Sequence, residues 1–444
     1  MHSSGKHTPL VDTPPRRSVL STKLNRPASP ISTLPEEILV MIFDDVITSE
    51  SSSKYRCRRA ATGGRALSPP RNLACVSKTW RIIVFACPML WRHVHITPVQ
   101  PINALKEHLR NSSPIPIHLT VHQWPFRNPI PASGPYSIVA LTAQLQSILS
   151  PADKQGDTLA PVCQRIKSIT IDATESSTFL NFVLQTWTGR GSKFPALRHV
   201  AMNGNVCATW ARACFFDAKN APGLERLVLT NAVIAYGLSS LHWGVGLNLT
   251  TLVWRAPVQR GGSLVVSASC FHHVVSSFPN LTTLELHGHV VGLEFTTLES
   301  LETSGVTPIT HVRRLRVTGD AFSNASAAFM LFYLLPSVRH LTVQGRACSG
   351  PLSRRTATLT LQALTCLPKL FGWPMVLSDL EDFELGCVDG AACDAWRAWC
   401  VGELEQWRQW RETMANARKK SHVARVRVQI LLDEWLTDED EGDS

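Results

Sequence analysis

The chain has 444 residues, 44% apolar and 18% charged, which is too apolar for a chain disordered throughout. That length suits two or three ordinary domains, or a small domain followed by an elongated repeat array that escapes the single-core size limit. The formal net charge of +10 would mark a nucleic-acid or anionic-membrane surface if the positive residues shared one face. Arg56/Arg58/Arg59, Arg313/Arg314/Arg316 and Arg418/Lys419/Lys420 instead stand far apart in sequence, so solvated faces are expected and nucleic acid is not an expected partner.

No stretch approaches the roughly 20 consecutive apolar residues that a membrane span needs, and residues 1–30 are polar and proline-containing, without an apolar signal core. A soluble protein of the cytoplasm and/or nucleus is expected, with no membrane partner and its twelve cysteines reduced. None of these forms a C-x2-C pair, and Cys387, Cys393 and Cys400 lack the spacing that grips zinc. The adjacent His272 and His273 diverge on a helix or a strand alike. Neither a metal nor a cofactor is expected.

Residues 1–30 lack a periodic apolar pattern and read as a disordered arm. Structure begins at Ile31. Thr33 and Glu36 have the spacing of a capping box, and Pro35 falls in the first turn of a helix whose Leu34, Ile38, Leu39, Ile42 and Phe43 share one side. A second helix is predicted from about Asn72 to Cys87, striped by Leu73, Val76, Trp80, Ile83 and Val84 and stopped by Pro88, with Leu90 and Trp91 directly after.

The ordered set Leu34-Pro35-Glu36-Glu37-Ile38-Leu39, Ile42-Phe43, Val76 with Trp80, and Leu90-Trp91 resembles an F-box. The resemblance covers residues 31 to 92. It implies a compact helical trio whose apolar face docks a Skp-type adaptor, and through it a cullin scaffold carrying the ubiquitin-conjugating machinery. The implied adaptor-binding positions are Leu34, Pro35, Ile38, Leu39, Ile42, Phe43, Val76, Trp80, Leu90 and Trp91. Two short helices are too few to bury both of their sides, so part of the apolar surface needs a partner or the following domain. The departure from the family pattern is a Ser-, Arg- and Gly-rich insertion at about 48–70, read as a loop; Ser29-Pro30 and Ser68-Pro69 are candidate phosphorylation sites beside the docking face.

From about residue 110 a phrase returns: apolar, two mixed residues, apolar, polar, apolar. It recurs as Ile166/Ile169/Ile171, Leu197/Val200/Met202, Leu224/Leu227/Leu229, Leu249/Leu252/Trp254, Leu281/Leu284/Leu286, Val312/Leu315/Val317 and Val338/Leu341/Val343, with Leu380/Phe383/Leu385 as the last copy. The middle residues of the first seven copies, 169 to 341, are 31, 27, 25, 32, 31 and 26 apart, slightly beyond the roughly 20–29 of leucine-rich repeats. Each alternating half predicts a short strand, often after a Pro or Gly turn such as Phe194-Pro195 or Phe278-Pro279. Phe179 to Trp187, Thr209 to Phe216, Cys270 to Phe278 and Ala325 to Leu335 are candidate crossing helices. Trp91 to Ile96 and Pro116 to Val121 are strand-like pieces that would begin the array.

This pattern resembles the divergent leucine-rich repeats that follow an F-box in fungal proteins, where the array receives the substrate. The asparagine ladder of regular repeats is missing, with only Asn203 and Asn231 near the expected place, and a compact α/β domain is the competing architecture. Trp396, Trp399, Cys400, Leu404, Trp407, Trp410 and Met414 predict a helix capping the last repeat, followed by an edge strand from Arg425 to Leu432. The expected fold class is α/β: a small N-terminal helical F-box followed by an irregular leucine-rich-repeat-like solenoid with short parallel strands and crossing helices. The expected division is an arm at 1–30, the F-box at 31–95, the array at 96–390, a capping helix and strand at 391–436, and an acidic tail at 437–444.

No phosphate-cradling loop, nucleophile elbow, dinucleotide fingerprint or H-E-x-x-H helix occurs. Gly244-Val-Gly246 reads as a turn, and the sequons at Asn111, Asn248, Asn280 and Asn324 carry no weight in an intracellular protein. No catalytic residue is expected. The expected role is a non-catalytic substrate receptor of a ubiquitin ligase, with an unknown protein substrate selected near Thr170, Asn203 and Arg316. The alternative is a non-ligase repeat scaffold binding an acidic protein or nucleic acid.

Overall fold

The computed structural model describes residues 30–52, 68–96, 102–122, 162–172, 193–203, 218–230, 248–255, 263–265, 268–291, 299, 303, 305–318, 322, 324–344, 358–364, 377, 379–387, 393–417 and 427–432. The expected arm up to residue 29, most of the insertion, the candidate helices Phe179 to Trp187 and Thr209 to Phe216, Asn231 and the acidic tail lie outside the described residues.

The first helices are α1 (Glu36–Ser52), α2 (Pro69–Ala74) and α3 (Lys78–Ala86). They lead through a 3-10 turn, Pro88–Trp91, into β1 (His93–Ile96), α4 (Ile102–Asn111) and β2 (Ile117–His122). Then come α5 (Val162–Arg165), β3 (Ile166–Asp172), β4 (His199–Asn203), β5 (Arg226–Thr230), β6 (Thr251–Arg255), β7 (Ser263–Val265) and α6 (Ala268–Ser276). The remainder is β8 (Thr283–His287), β9 (His289–Val291), β10 (Arg314–Thr318), α7 (Ala325–Leu334), β11 (His340–Gln344), β12 (Asp382–Cys387), α8 (Cys393–Ala417) and β13 (Arg427–Leu432).

Eleven strands form one sheet in the order β1-β2-β3-β4-β5-β6-β8-β10-β11-β12-β13, while β7 and β9 pair separately. Every pairing in the large sheet is parallel, and within it each strand lies beside the one that precedes it there, with only β7 and β9 set apart, so the order never reverses. A doubly wound sheet reverses its strand order at a switch point and covers both faces. Here β5, β8 and β11 alternate half-buried with buried residues, as a sheet does when one face meets the core and the other does not. The architecture is therefore a solenoid-like parallel array behind a small helical domain, not a compact α/β domain.

The recurring phrase fixes the register. Its middle residue pairs with the middle residue of the next copy, along Val94, Leu119, Ile169, Val200, Leu227, Leu252, Leu284, Leu315, Leu341, Phe383 and Val428. All three apolar residues of all eight copies named in the sequence are 0–1% exposed. A one-residue slip would turn this column to the other face, so burial holds the register. Turns of one kind start the rungs: Leu197 N–H donates to Phe194 O at 3.1 Å, Leu224 to Ala221 at 3.2 Å and Leu281 to Phe278 at 3.0 Å. Each encloses a proline at its second position, where the fixed φ suits a β-turn. At one of these turns the guanidinium of Arg198 lies across Gly223: a Cβ there would come 1.3 Å from Nη1, so a larger residue needs the arginine side chain to swing aside.

Several expectations change. The capping box does not form as drawn: Thr33 Oγ1 donates to Pro30 O at 2.7 Å within the 3-10 turn Pro30–Thr33, and α1 starts at Glu36, after Pro35. The single helix predicted over 72–87 is two, α2 and α3. Ser77, extended between them, caps α3 by accepting from Trp80 N–H at 3.1 Å. The crossing helix α4 was not predicted at all. The sheet starts at His93, inside the segment assigned to the helical domain. At the far end, β13 is the eleventh strand of the sheet.

The crossing helices expected at 270–278 and 325–335 are present as α6 and α7, with Phe271, Val274 and Val275 of α6 buried in the main core. Helix α8 contributes Cys400, Leu404 and Trp407 to that same core. A short ladder of asparagines also exists, at positions read only as sequons: Asn280 Nδ2 donates to Asn248 Oδ1 at 3.4 Å, and Asn248 Nδ2 to Pro222 O at 2.9 Å. Asn203 Nδ2 donates to Asp172 Oδ1 at 3.1 Å.

Candidate functional site: an apolar face on the small helical domain

The helical domain has a core of its own, separate from that of the array: Leu39, Phe43, Ile47, Ala74, Ile83, Val84, Leu90 and Trp91. Leu39, Phe43 and Ile47 are spaced by four along α1, so one row of the helix turns inward. Phe43 meets Trp80 with ring centroids 4.6 Å apart, and Trp91 Nε1–H donates to Val84 O at 2.8 Å. Pairing the indole N–H removes the cost of burying it.

The neighbouring row of α1, about 100° round the helix, faces outward, and Leu34 in the bend before α1 continues it. Leu34, Ile38, Ile42 and Val46, again spaced by four, are exposed, as is Met41 beside them. Ile38 is 41% exposed. On the following elements Val76, Ile82, Phe85 and Met89 are exposed, with Ile82 at 70%. Among the described residues these nine are all but one of the exposed large apolar side chains, the other being Val401 on α8. A concentration of this kind within one small domain marks an interaction surface.

The residues singled out in the sequence divide accordingly. Leu34, Pro35, Ile38, Ile42 and Val76 lie at the surface. Trp80 is half-buried against Phe43. Leu39, Phe43, Leu90 and Trp91 are sealed in the core, 0–3% exposed, and have no surface to offer a partner. Met41, Val46, Ile82, Phe85 and Met89, exposed beside them, were not singled out in the sequence. The available signal was that α1 and α3 carry apolar residues on more sides than one stripe requires, as in Trp80-Arg81-Ile82-Ile83-Val84-Phe85.

Several contacts fix this domain to the array. Arg92 Nη2, at the start of β1, pairs with Asp44 Oδ2 of α1 at 2.8 Å, and Arg71 of α2 pairs with Glu107 of α4. Trp91 meets His108 of α4 edge-on at 5.1 Å. The guanidinium of Arg165, buried under α4, donates to the carbonyls of Leu109, Ser112 and Ile115 at 3.0–3.3 Å, capping the end of that helix.

No helix among the described residues is long and apolar enough to cross a membrane. No curated protein matches the chain. Residues 31–97 match the F-box-like family model, a span running from the turn before α1 to the end of β1, and this segment is an F-box-like domain.

Proposed function

We propose that the chain is a non-catalytic substrate-receptor subunit of an SCF-type (Skp-cullin-F-box) ubiquitin ligase, acting in the cytoplasm or nucleus. The F-box-like domain docks a Skp-type adaptor and through it a cullin scaffold, and the strand array, leucine-rich-repeat-like and of the fungal type, receives a protein substrate. The observation that carries this reading is the outward apolar row of α1, with its companions on α3 and the turn after it, inside a segment that matches the F-box-like family model. The adaptor contacts are Leu34, Pro35, Ile38, Ile42 and Val76, extended by Met41, Val46, Ile82, Phe85 and Met89. Leu39, Phe43, Leu90 and Trp91 shape the face from beneath, and Trp80 bridges the two sets.

The test is capture of the purified chain by a Skp-type adaptor, beside a variant with Leu34, Pro35 and Ile38 changed to Ala. These side chains are exposed, so the variant keeps the wild-type melting transition. Capture of the wild type and its loss in the variant are expected. A folded wild type that is not captured overturns the ligase reading and leaves a free-standing repeat scaffold.

A further inference from the structure

The outward row of α1 does not end on an apolar residue. Ser49 lies within roughly 20° of Ile42 around the helix, and about 4.5 Å along the axis beyond Val46. It is exposed, and its Oγ donates to Val46 O at 3.0 Å, which holds the hydroxyl against the turn that carries Val46. Thr48, also exposed, lies about 120° from Ile42 and off the row.

The surroundings of Ser49 disfavour a further anion. It stands in the last turn of α1, where the helix presents its negative end, and that turn holds no basic residue. Asp45, exposed one turn back, is a carboxylate at i−4. Arg92, the arginine that meets α1, is already paired with Asp44. Neither serine-proline pair singled out in the sequence offers a comparable position. Ser29 lies outside the described residues, and Ser68 Oγ is buried at the start of α2 with no hydrogen-bond partner among the described residues.

We propose that Ser49 is a phosphorylation site whose phosphate keeps the adaptor off the apolar face. A protein kinase transfers the γ-phosphoryl group of ATP: Ser49 Oγ bonds to phosphorus, the P–O bond to ADP breaks, and the hydroxyl proton leaves to the kinase's base. The ester no longer donates to Val46 O. In its place a group of charge about −2 stands beside Val46. Docking that buries the row must then strip water from this dianion, with no cation in the last turn of α1 to receive it, and an apolar partner surface does not repay that cost. Docking and modification therefore exclude each other: a docked adaptor covers Ser49, and a phosphorylated Ser49 rejects the adaptor. The proposal deepens the substrate-receptor function and rests on that reading's assignment of the face to a Skp-type adaptor.

The experiment measures the dissociation constant of a purified Skp-type adaptor for the full chain in three forms: unmodified, with phosphoserine incorporated at position 49 during translation, and with phosphoserine at position 276. Ser276 is the matched control on the array, exposed at the end of α6, with Oγ donating to His272 O one turn back at 2.6 Å. Phosphoserine at 49 is expected to weaken binding about tenfold or more, the effect of a dianion on an apolar interface. Phosphoserine at 276 leaves binding unchanged, Ser49→Ala binds like the unmodified chain, and Ser49→Glu, with a smaller charge, falls between. A melting curve on each preparation reports whether the helical domain is folded at the assay temperature. In a second arm the unmodified chain is incubated with ATP and a eukaryotic cell extract, and modified residues are mapped by mass spectrometry. Phosphate on Ser49 is expected in the free chain and is suppressed by saturating adaptor.

Equal binding with and without phosphate at 49, an equal loss from phosphate at 276, or a loss that Ser49→Ala reproduces overturns the proposal. So does a loss that the melting curve traces to an unfolded helical domain, and so does an extract that labels other serines but never Ser49. A folded, unmodified chain that does not bind the adaptor overturns the ligase function and the proposal with it. That result is read before any phosphate is compared, so the two failures are told apart.

Discussion

The two regions of this molecule treat apolar side chains in opposite ways. In the strand array every apolar residue of the eight named copies of the phrase is sealed, because each rung finds its missing half on the next. The F-box-like domain seals one row of α1 and leaves the adjacent row, with Ile82, Phe85 and Met89, facing water. The array completes its core internally. The helical domain holds more apolar surface than so few residues can enclose, and its completion is a partner. The same kind of residue is structure in one region and function in the other, and only its surroundings tell which.

That contrast can be broken from the inside first. Phe43→Ala removes the ring that packs on Trp80 in a core with eight buried members, and is expected to cost about 3–5 kcal/mol. Chemical denaturation should show the loss in the helical domain, with adaptor capture lost as well. Leu284→Ala, in the middle of the buried column, is expected to cost about 2–5 kcal/mol. It should lower the denaturation midpoint of the array while adaptor capture survives, since the two cores are separate. Capture lost in both variants at temperatures where the helical domain is folded would mean the regions unfold as one unit.

Smaller effects sharpen the comparison. Ser77→Ala deletes the cap of α3 and is expected to cost about 1 kcal/mol, read as a drop in melting temperature. Ile82→Glu is the smallest in stability and the most informative. At 70% exposure its side chain contributes little to the core, so a change within about 0.5 kcal/mol is expected, yet it sets a charge on the proposed docking face and should abolish capture. A large destabilisation by Ile82→Glu would place that residue in the core and erase the distinction between the two rows.

The array was legible because its signal is long and redundant: a strand needs only its alternating residues, and eight copies agree on which those are. The helical domain was harder for a physical reason. Helix α1 carries two apolar rows, 39/43/47 and 38/42/46, the second continued by Leu34 before the helix, and periodicity does not say which turns inward; the packing of Trp80 and Trp91 decides it. The break between α2 and α3 was hidden because the apolar stripe of Leu73, Val76 and Trp80 runs through it, although Ser77 stood at the cap. Helix α4 was missed because it announces itself only through Ile102, Leu105 and Leu109. The juxtaposition of Arg314 with His340 was not legible at all: they are neighbours through register alone, and they stand 26 residues apart in the string.

The uniform register also makes the sheet a measuring rod. Arg314 stands on the eighth strand of the large sheet, seven spacings from β1, which is about 34 Å at the usual inter-strand distance. Since β1 is tied to the helical domain through Arg92 and Asp44, anything held at β10 would be held at a set distance from whatever grips α1. Adding or removing a single rung between them would move that cargo by about 5 Å without touching either binding surface, a way of tuning reach that point substitutions do not offer.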